Sequence, residues 1–411
     1  MKRLVIVEKP SVAQSIAAVL GAKERKNGYM EGVGHIVSWC IGHLVELAPA
    51  HAYNENYAKW QREHLPISPD SWEYIVSEGT KKQYEVLKTL MHRSEVESII
   101  CATDAGREGE LIFRLVYNKC GCTKPIKRLW ISSLEESAIL QGFETLRDGQ
   151  DYERLYQAAL CRAQADWLVG INATRLFSLM YGQTLNIGRV MTPTLALLVS
   201  REAAISAFVS EPFYHAQISC GFIAIGERMK ERHAAELVAA ACHAGEAIVK
   251  SIESKAKTEK PPKLYDLTSL QRDANRIYGF TAQQTLDYAQ SLYEKKLITY
   301  PRTDSRYLTD DMATSLPDLA KSVENALPFT AGLNLPINTA QVIDGAKVSD
   351  HHAILPTGTM SQSDLPSLPG GERDVLHLVC VQMLCALRRT SFYIRRQKRL
   401  LISLESRNFQ L

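Results

Sequence analysis

The sequence predicts a multidomain α/β and α+β fold, and three observations carry that reading. First, two apolar runs of strand length, residues 2–7 and 98–103, each end in an acidic, helix-opening segment: Glu8-Lys9-Pro10-Ser11 and Asp104-Ala105-Gly106-Arg107-Glu108. Strand followed by helix, repeated, implies an open α/β sheet, and such sheets gather their sites at the carboxyl ends of strands. Second, the alternation is later lost. Residues 213–225 and 247–253 have the two-residue period of strands, whereas 268–294 reads as helix, turn, helix. Third, 411 residues exceed one ordinary domain, so roughly two to four domains are expected.

Each element follows from its residues. The first strand is followed by helical spacing over 12–20, with Ser11 as the expected N-cap. The helix after Asp104 runs on to Tyr117. Residues 127–130 suit a third strand, and Ser132 or Ser133 with Glu135 or Glu136 three positions on has the pattern of a capping box. A helical pattern extends to Leu176 and carries Arg162, Asp166, Trp167 and Arg175. Residues 186–193 form a Gly- and Pro-marked loop before a further helix at 194–203. Lys260-Pro261-Pro262-Lys263 breaks the chain. Thr268 with Gln271, and Thr281 with Gln284, are capping-box signals on either side of Tyr278-Gly279-Phe280. A β-leaning run then ends at Tyr300, where Pro301 forbids a continued ladder because it has no N–H to donate. This order resembles a winged-helix arrangement. Residues 375–387 read as an apolar helix, and 388–399 are strongly basic.

Composition excludes several classes. At 45% hydrophobic and 23% charged the chain is an ordinary globular sequence. The net charge is only +3, so any polyanion surface must come from local clustering. The apolar run at 4–7 is too short for a signal peptide, and nothing approaches the about 18 apolar residues of a membrane span. Nine scattered cysteines form no paired C-x-x-C array, which argues against structural zinc and for reduced thiols in a cytoplasm.

The candidate site residues carry competing readings. Tyr300 and Arg302 put a phenol and a guanidinium together where a strand gives way to a loop. A phenol is a poor nucleophile near neutral pH, since its ordinary pKa is about 10. A guanidinium can stabilise the phenolate and grip the phosphate it attacks. Taken alone, a buried strand tyrosine followed by a surface arginine is the better account of the pair. Glu8, Asp104 and Glu108 are oxygen ligands suited to magnesium. Alone, Asp104 and Glu108 also fit acids complementing a helix N-terminus. Lys9 is suited to protonate a departing sugar oxygen or to pin a phosphate, or is a solvated strand-end lysine. In Asp350-His351-His352, adjacent histidines on a strand face opposite ways, so one serves a site and the other is structural. Trp60, Trp167, Arg175 and Arg189 suit stacking and phosphate contacts to a single strand, although a lone tryptophan is more often core.

In order along the chain, several segments together resemble the type IA DNA topoisomerases of the bacterial topoisomerase III branch. They are V-I-V-E-K-P-S-V-A from Val5, T-D-A-G-R-E-G-E-L-I from Thr103, A-D-W-L-V-G-I-N-A-T-R from Ala165, N-I-G-R-V-M-T-P-T-L from Asn186, the Tyr300 stretch, and D-H-H-A-I-L-P-T from Asp350. The resemblance implies a Toprim (Rossmann-like) domain at 1–150 and the first half of a helical DNA-groove domain at 151–212. It implies a β-rich arch at 213–264 and 372–411, and a winged-helix-like domain at 265–371 carrying the nucleophile. Carried over, Tyr300 attacks a phosphodiester and joins the 5′ phosphate, Arg302 stabilises the transition state, and Lys9 with Glu8 assists the leaving 3′ oxygen. Glu8, Asp104 and Glu108 hold Mg2+, and His351 contacts phosphate. Trp60, Trp167, Arg175 and the loop Asn186, Ile187, Gly188, Arg189, Val190 and Met191 contact DNA. No ATP is required. The expected substrate is single-stranded DNA, with a helicase as partner, a monomeric chain and no membrane.

Three departures stand out. Gly106 replaces the second Asp of the family's acidic triplet, which removes one carboxylate from the metal site. Met191 stands where glutamine is common. The sequence also stops at Leu411 without the family's second groove half or tail, so a C-terminally truncated chain with weak strand passage is expected. Two rival readings are a non-catalytic single-strand-binding protein and a Toprim nuclease or primase. The latter gives Tyr300-Pro301-Arg302 no role.

Overall fold

The first strand, β1 (Lys2–Val7), lies at the centre of a seven-stranded sheet because Leu4 to Val7 are apolar on both faces and fully buried. In this computed structural model, residues 1–219, 223–244, 246–330, 336–348, 351–362, 365–388, 391–403 and 408–410 are described. They divide into two compact units, Met1–Pro193 with Pro262–Arg388, and Thr194–Pro261 with Arg389–Leu411.

In the first unit β1 is followed by α1 (Pro10–Val19), β2 (Glu24–Lys26), β3 (Tyr29–Glu31), β4 (His35–Trp39), β5 (Val45–Leu47) and α2 (Ala50–Tyr53). Next come β6 (Tyr74–Val76), α3 (Lys81–Met91), β7 (Val96–Cys101), α4 (Arg107–Lys119), β8 (Ile126–Arg128), α5 (Glu136–Glu144) and β9 (Arg147–Asp148). The sheet order is β2-β3-β4-β1-β7-β8-β9, parallel across β4, β1, β7 and β8 and antiparallel at both margins. β1 and β7 pair from Arg3 opposite Ser98 to Ile6 opposite Cys101, so the two acidic strand ends emerge side by side. Successive residues of β1 feed two cores. Val5 and Val7 join one apolar cluster, while Leu4 and Ile6 join another with Leu87, Phe113 and Val116.

The expected caps of α1 and α5 are corrected. α1 opens with Pro10 at its first turn and Lys9 as N-cap, which places Ser11 inside the helix. Proline suits that position because its missing N–H would be unpaired there anyway. α5 is capped by Glu135 with no side-chain bond from either serine. Instead, Ser133 Oγ accepts from the Glu135 N–H at 3.2 Å, a local turn that competes with the cap.

The long α6 (Glu153–Tyr181) ends at Gly182, whose φ of 68° is the left-handed stop typical of glycine. α7 (Met191–Ser206) begins at the end of the first unit and continues in the second. The second unit holds a hairpin of β10 (Gln217–Ser219) and β11 (Ile223–Ile225), then α8 (Arg232–Ala244) and β12 (Glu246–Glu259). Thus the expected β-rich segment also contains a helix.

Back in the first unit, α9 (Leu267–Tyr278) is capped reciprocally by Asp266 and Ser269, not by Thr268 and Gln271. Gln271 instead donates to the Ala282 carbonyl at 3.0 Å. α10 (Ala282–Glu294) has the expected Thr281–Gln284 box. The expected strand ending at Tyr300 is a single bridge from Ile298 to Pro356, because prolines at 301 and 356 deny a ladder its donors. α11 (Leu316–Ala326) and α12 (Gly370–Ala386) follow. The arch was expected to resume at residue 372. That position lies inside α12, whose Val375, Val379, Cys380 and Met383 are buried in the first unit's core beside α10, and the division falls after Arg388. β13 (Ser391–Ser403) then pairs antiparallel with β12, Glu246 opposite Ser403 and Glu259 opposite Ser391, and β14 (Asn408–Gln410) adds to β13. Arg389 of the basic stretch and Asp350 of the histidine motif lie outside the described residues. No helix among the described residues is long and apolar enough to cross a membrane.

Candidate active site

The β1–β7 register places Glu8 and Asp104 next to each other, and the segment after α10 lays Tyr300 across them. A cavity of about 670 Å³ is lined by Glu8, Lys9, Asp104, Glu108, Tyr300, Arg302 and His351, so it gathers every residue expected for the chemistry. The Tyr300 hydroxyl donates to Asp104 Oδ2 at 2.8 Å, and the Tyr300 N–H donates to the Ser132 carbonyl at 3.1 Å. The ring is only 8% exposed and packs edge-on against Tyr293, 5.3 Å away, and tilted against His351, 4.4 Å away. Burial, then the Asp104 charge, push the phenol's pKa upward, while the hydrogen-bonded Arg302 guanidinium pulls it back. Arg302 Nη1 also donates to Gln290 Oε1 of α10 at 3.0 Å, which holds the guanidinium beside the phenol.

Glu8 is pushed up to about 7, first by burial and then by neighbouring Asp104, against the pull of Lys9 and Arg302. A buried Glu8 carboxylate this close to the Asp104 carboxylate is repelled by it, and a cation between them would relieve that repulsion. Magnesium takes one or two carboxylates and keeps several waters, so Glu8 and Asp104 fit it as oxygen donors. The expected third ligand, Glu108, is engaged by a histidine. Glu108 lines the same cavity, but its Oε1 is bonded to His43 Nε2 at 2.6 Å. That bond lowers the Glu108 pKa and raises that of His43. Among the described residues no three Asp, Glu, His or Cys side chains converge on one metal position.

Lys9 Nζ lies 3.7 Å from Glu294 Oε1, at the end of α10. His351 Nδ1 is 3.1 Å from Ser132 Oγ, and its buried Nε2 finds no hydrogen-bond partner among the described residues. Burial lowers the His351 pKa to about 4, so the ring beside Tyr300 is neutral at pH 7. His352 Nδ1 is held 2.7 Å from the Ala353 carbonyl, away from the cavity lining.

The expected DNA contacts sit apart from this cavity. Arg175 stacks on Trp60 at 5.5 Å and is 7% exposed, and its Nε and Nη1 are without hydrogen-bond partners among the described residues. Trp167 braces the fold. Its Nε1 donates to the Ala48 carbonyl at 3.1 Å, and its ring meets Tyr53 and Trp72 edge-on. The 186–191 loop is stitched to α6, where the Ile187 N–H donates to Thr174 Oγ1 at 2.9 Å. Within the loop, the Gly188 N–H donates to Thr192 Oγ1 at 3.1 Å. Arg189 forks onto Asp166 at 2.5 and 3.2 Å. Asn186, Val190 and Met191 are exposed.

Sequence reasoning missed His43, Glu294 and Ser132, each brought to the site from a distant segment. It also missed Arg128, for which one signal existed: an arginine inside the apolar strand run Arg128-Leu129-Trp130.

Comparison with known proteins fits this geometry. A Toprim domain model matches residues 3–134 and a DNA topoisomerase model matches 150–411. The chain belongs to the type IA DNA topoisomerase family. Among topoisomerase relatives, DNA topoisomerase 3 of Shouchella clausii is 43% identical over 372 residues, covering 87% of this chain and 51% of that one. DNA topoisomerase 3 of Bacillus subtilis is 41% identical over 401 residues, covering 94% and 55%. The chain thus spans about half the length of these curated relatives. Full-length topoisomerase I from Thermotoga maritima shares the fold, with a TM-score of 0.73 at 23% identity over 99% of this chain and 64% of that one.

Proposed function

We propose that this chain cleaves and reseals one strand of DNA through Tyr300, without ATP. The observation that carries the reading is the Tyr300 hydroxyl donating to Asp104 in a cavity that also presents Lys9, Arg302 and His351. The phenolic oxygen attacks a backbone phosphorus, and the proton leaves toward Asp104, its hydrogen-bond acceptor. The new bond is a 5′ phosphotyrosine; the bond broken is from phosphorus to the 3′ oxygen, which takes a proton from Lys9. Arg302 neutralises charge on the equatorial oxygens, the fixed electrostatic help on which phosphoryl transfer depends. Neutral His351 offers Nε2 to a phosphate oxygen as a hydrogen-bond donor. Resealing runs these steps backwards, the ester having conserved the bond energy. Glu8 and Asp104 would hold Mg2+, which supplies charge neutralisation for the phosphate and the attacking 3′ oxygen. Arg175 with Trp60, and the exposed part of the 186–191 loop, bind the single strand in this reading. The chain works as a monomer in the cytoplasm on regions that a helicase opens.

The test is a labelled single-stranded oligonucleotide incubated with magnesium and quenched with alkali or detergent. A covalent adduct on wild type, absent from Tyr300→Phe, is the expected result. Oligonucleotide binding with no adduct on either protein would leave only the non-catalytic binding reading.

A further inference from the structure

Arg128 is fully buried at the end of β8 and does not itself line the cavity, yet it holds the backbone from which Asp104 projects. Its Nη1 donates to the carbonyls of Cys101, Thr103 and Leu129 at 3.1, 2.8 and 2.9 Å, and its Nη2 donates to the Asp104 carbonyl at 2.8 Å. One planar guanidinium therefore grips three carbonyls at the end of β7 and its following turn. Its Nε faces Glu110 Oε2 at 3.2 Å, and Glu110 is as buried as Arg128. Glu110 is the fourth residue of α4, so the pair ties the helix that begins after Asp104 to the strand beside it. The turn is closed from the other side by Thr103 Oγ1, which donates to the Gly109 carbonyl at 2.7 Å. Aromatic faces cover the guanidinium, with Trp130 at 5.1 Å and Tyr152 at 5.9 Å.

A buried ion pair is a poor way to gain stability, because an apolar residue of similar volume commonly does as well. What an apolar residue cannot do is fix the direction of several carbonyls at once. The forked donors of arginine do so, and lysine's single ammonium does not. From this we infer that Arg128, held by Glu110, is the positioning residue that aims the Asp104 carboxylate at its cation and at Tyr300. The inference rests on the proposed metal reading at Glu8 and Asp104. Arg114 provides an internal control. It donates to Glu110 Oε1 at 3.0 Å and to the Gly149 carbonyl at 2.8 Å, but to no carbonyl of the Asp104 turn.

The experiment is manganese(II) binding to the whole chain, followed by water-proton relaxation, with thermal unfolding measured on the same samples. Wild type is expected to bind through Glu8 and Asp104, and Asp104→Asn to lose binding. Arg128→Lys should bind at least tenfold more weakly. Glu110→Gln, which keeps shape and removes the charge, should weaken binding severalfold and serves if Arg128→Lys does not fold. Arg114→Lys should lower the unfolding midpoint without weakening binding. Equal binding by wild type and Glu110→Gln, or equal loss in Arg114→Lys and Arg128→Lys, would overturn the positioning role. Absence of binding by wild type itself would remove the metal reading and this inference with it.

Discussion

His351 sits against Tyr300 with one nitrogen near Ser132 and the other buried without a partner, and its protonation is costly there. Its ordinary pKa of 6.5 falls to about 4, first through burial and then through neighbouring His352. Because the folded value lies below the unfolded one, the histidine's contribution to stability is full above about pH 6.5. It is lost as pH falls toward 4, a loss on the order of 3 kcal/mol at most. Glu8 acts in the opposite sense: its raised value favours the folded state as pH falls from about 7. Comparing wild type with His351→Gln separates the two. The urea midpoint of wild type should drop more between pH 7 and pH 5 than that of His351→Gln, and parallel curves would contradict a neutral buried ring. The residue types at this site were readable from the motifs. The His43–Glu108 bond was not, because the residues are 65 positions apart and nothing in either's neighbourhood announces the other.

α4 begins at Arg107 so close to Asp104 that its third residue has no room for a side chain. A Cβ on Gly109 would lie 2.1 Å from the Asp104 carbonyl oxygen. That is a backbone obstacle, so relief requires the helix to withdraw from the turn. Gly109→Ala should therefore cost about 1–3 kcal/mol, as overpacked sites do, and should displace Asp104 enough to weaken divalent-cation binding. Calorimetric unfolding and cation titration on one sample check it; unchanged values for both would mean the turn tolerates the methyl. Elements of this kind were largely legible. Apolar runs located β1, β7 and α12, and Thr281-Gln284 located the start of α10. The misses were cases where a local competitor won. Pro10 displaced Ser11 as the start of α1, Asp266 displaced Thr268 at α9, and the Ser133–Glu135 turn displaced a capping box. The strand expected before Tyr300 failed because its partner also carries a proline.

Within the first unit, one apolar cluster contains Val12, Ile16, Leu129 and Leu134 from the sheet and its helices, together with Leu292, Tyr293, Ile298 and Tyr300. Sequence could assign each segment a domain but could not show that they share a core, since the segments are far apart along the chain. The consequence is mechanical. In the proposed reading Tyr300 reaches a DNA strand only if this packing parts, because the phenol is buried between Asp104, His351 and Tyr293. Polar stitches join the two sides, Tyr300 to Asp104 and Ser132, His351 to Ser132 and Lys9 to Glu294, and apolar packing covers the rest. Loosening that apolar packing should therefore raise how often the site opens. Leu134 is buried against this packing and, with Tyr293, Tyr300 and His351, lines a small void, so Leu134→Ala enlarges a gap that already exists. The substitution should cost about 2–5 kcal/mol of packing. Opening should become more frequent, so amide exchange at Tyr300, whose N–H is bonded to the Ser132 carbonyl, should accelerate more than exchange in β1. Uniform acceleration across both segments would show that the two sides open only by unfolding together, and the proposed reaction would then need DNA itself to draw Tyr300 out.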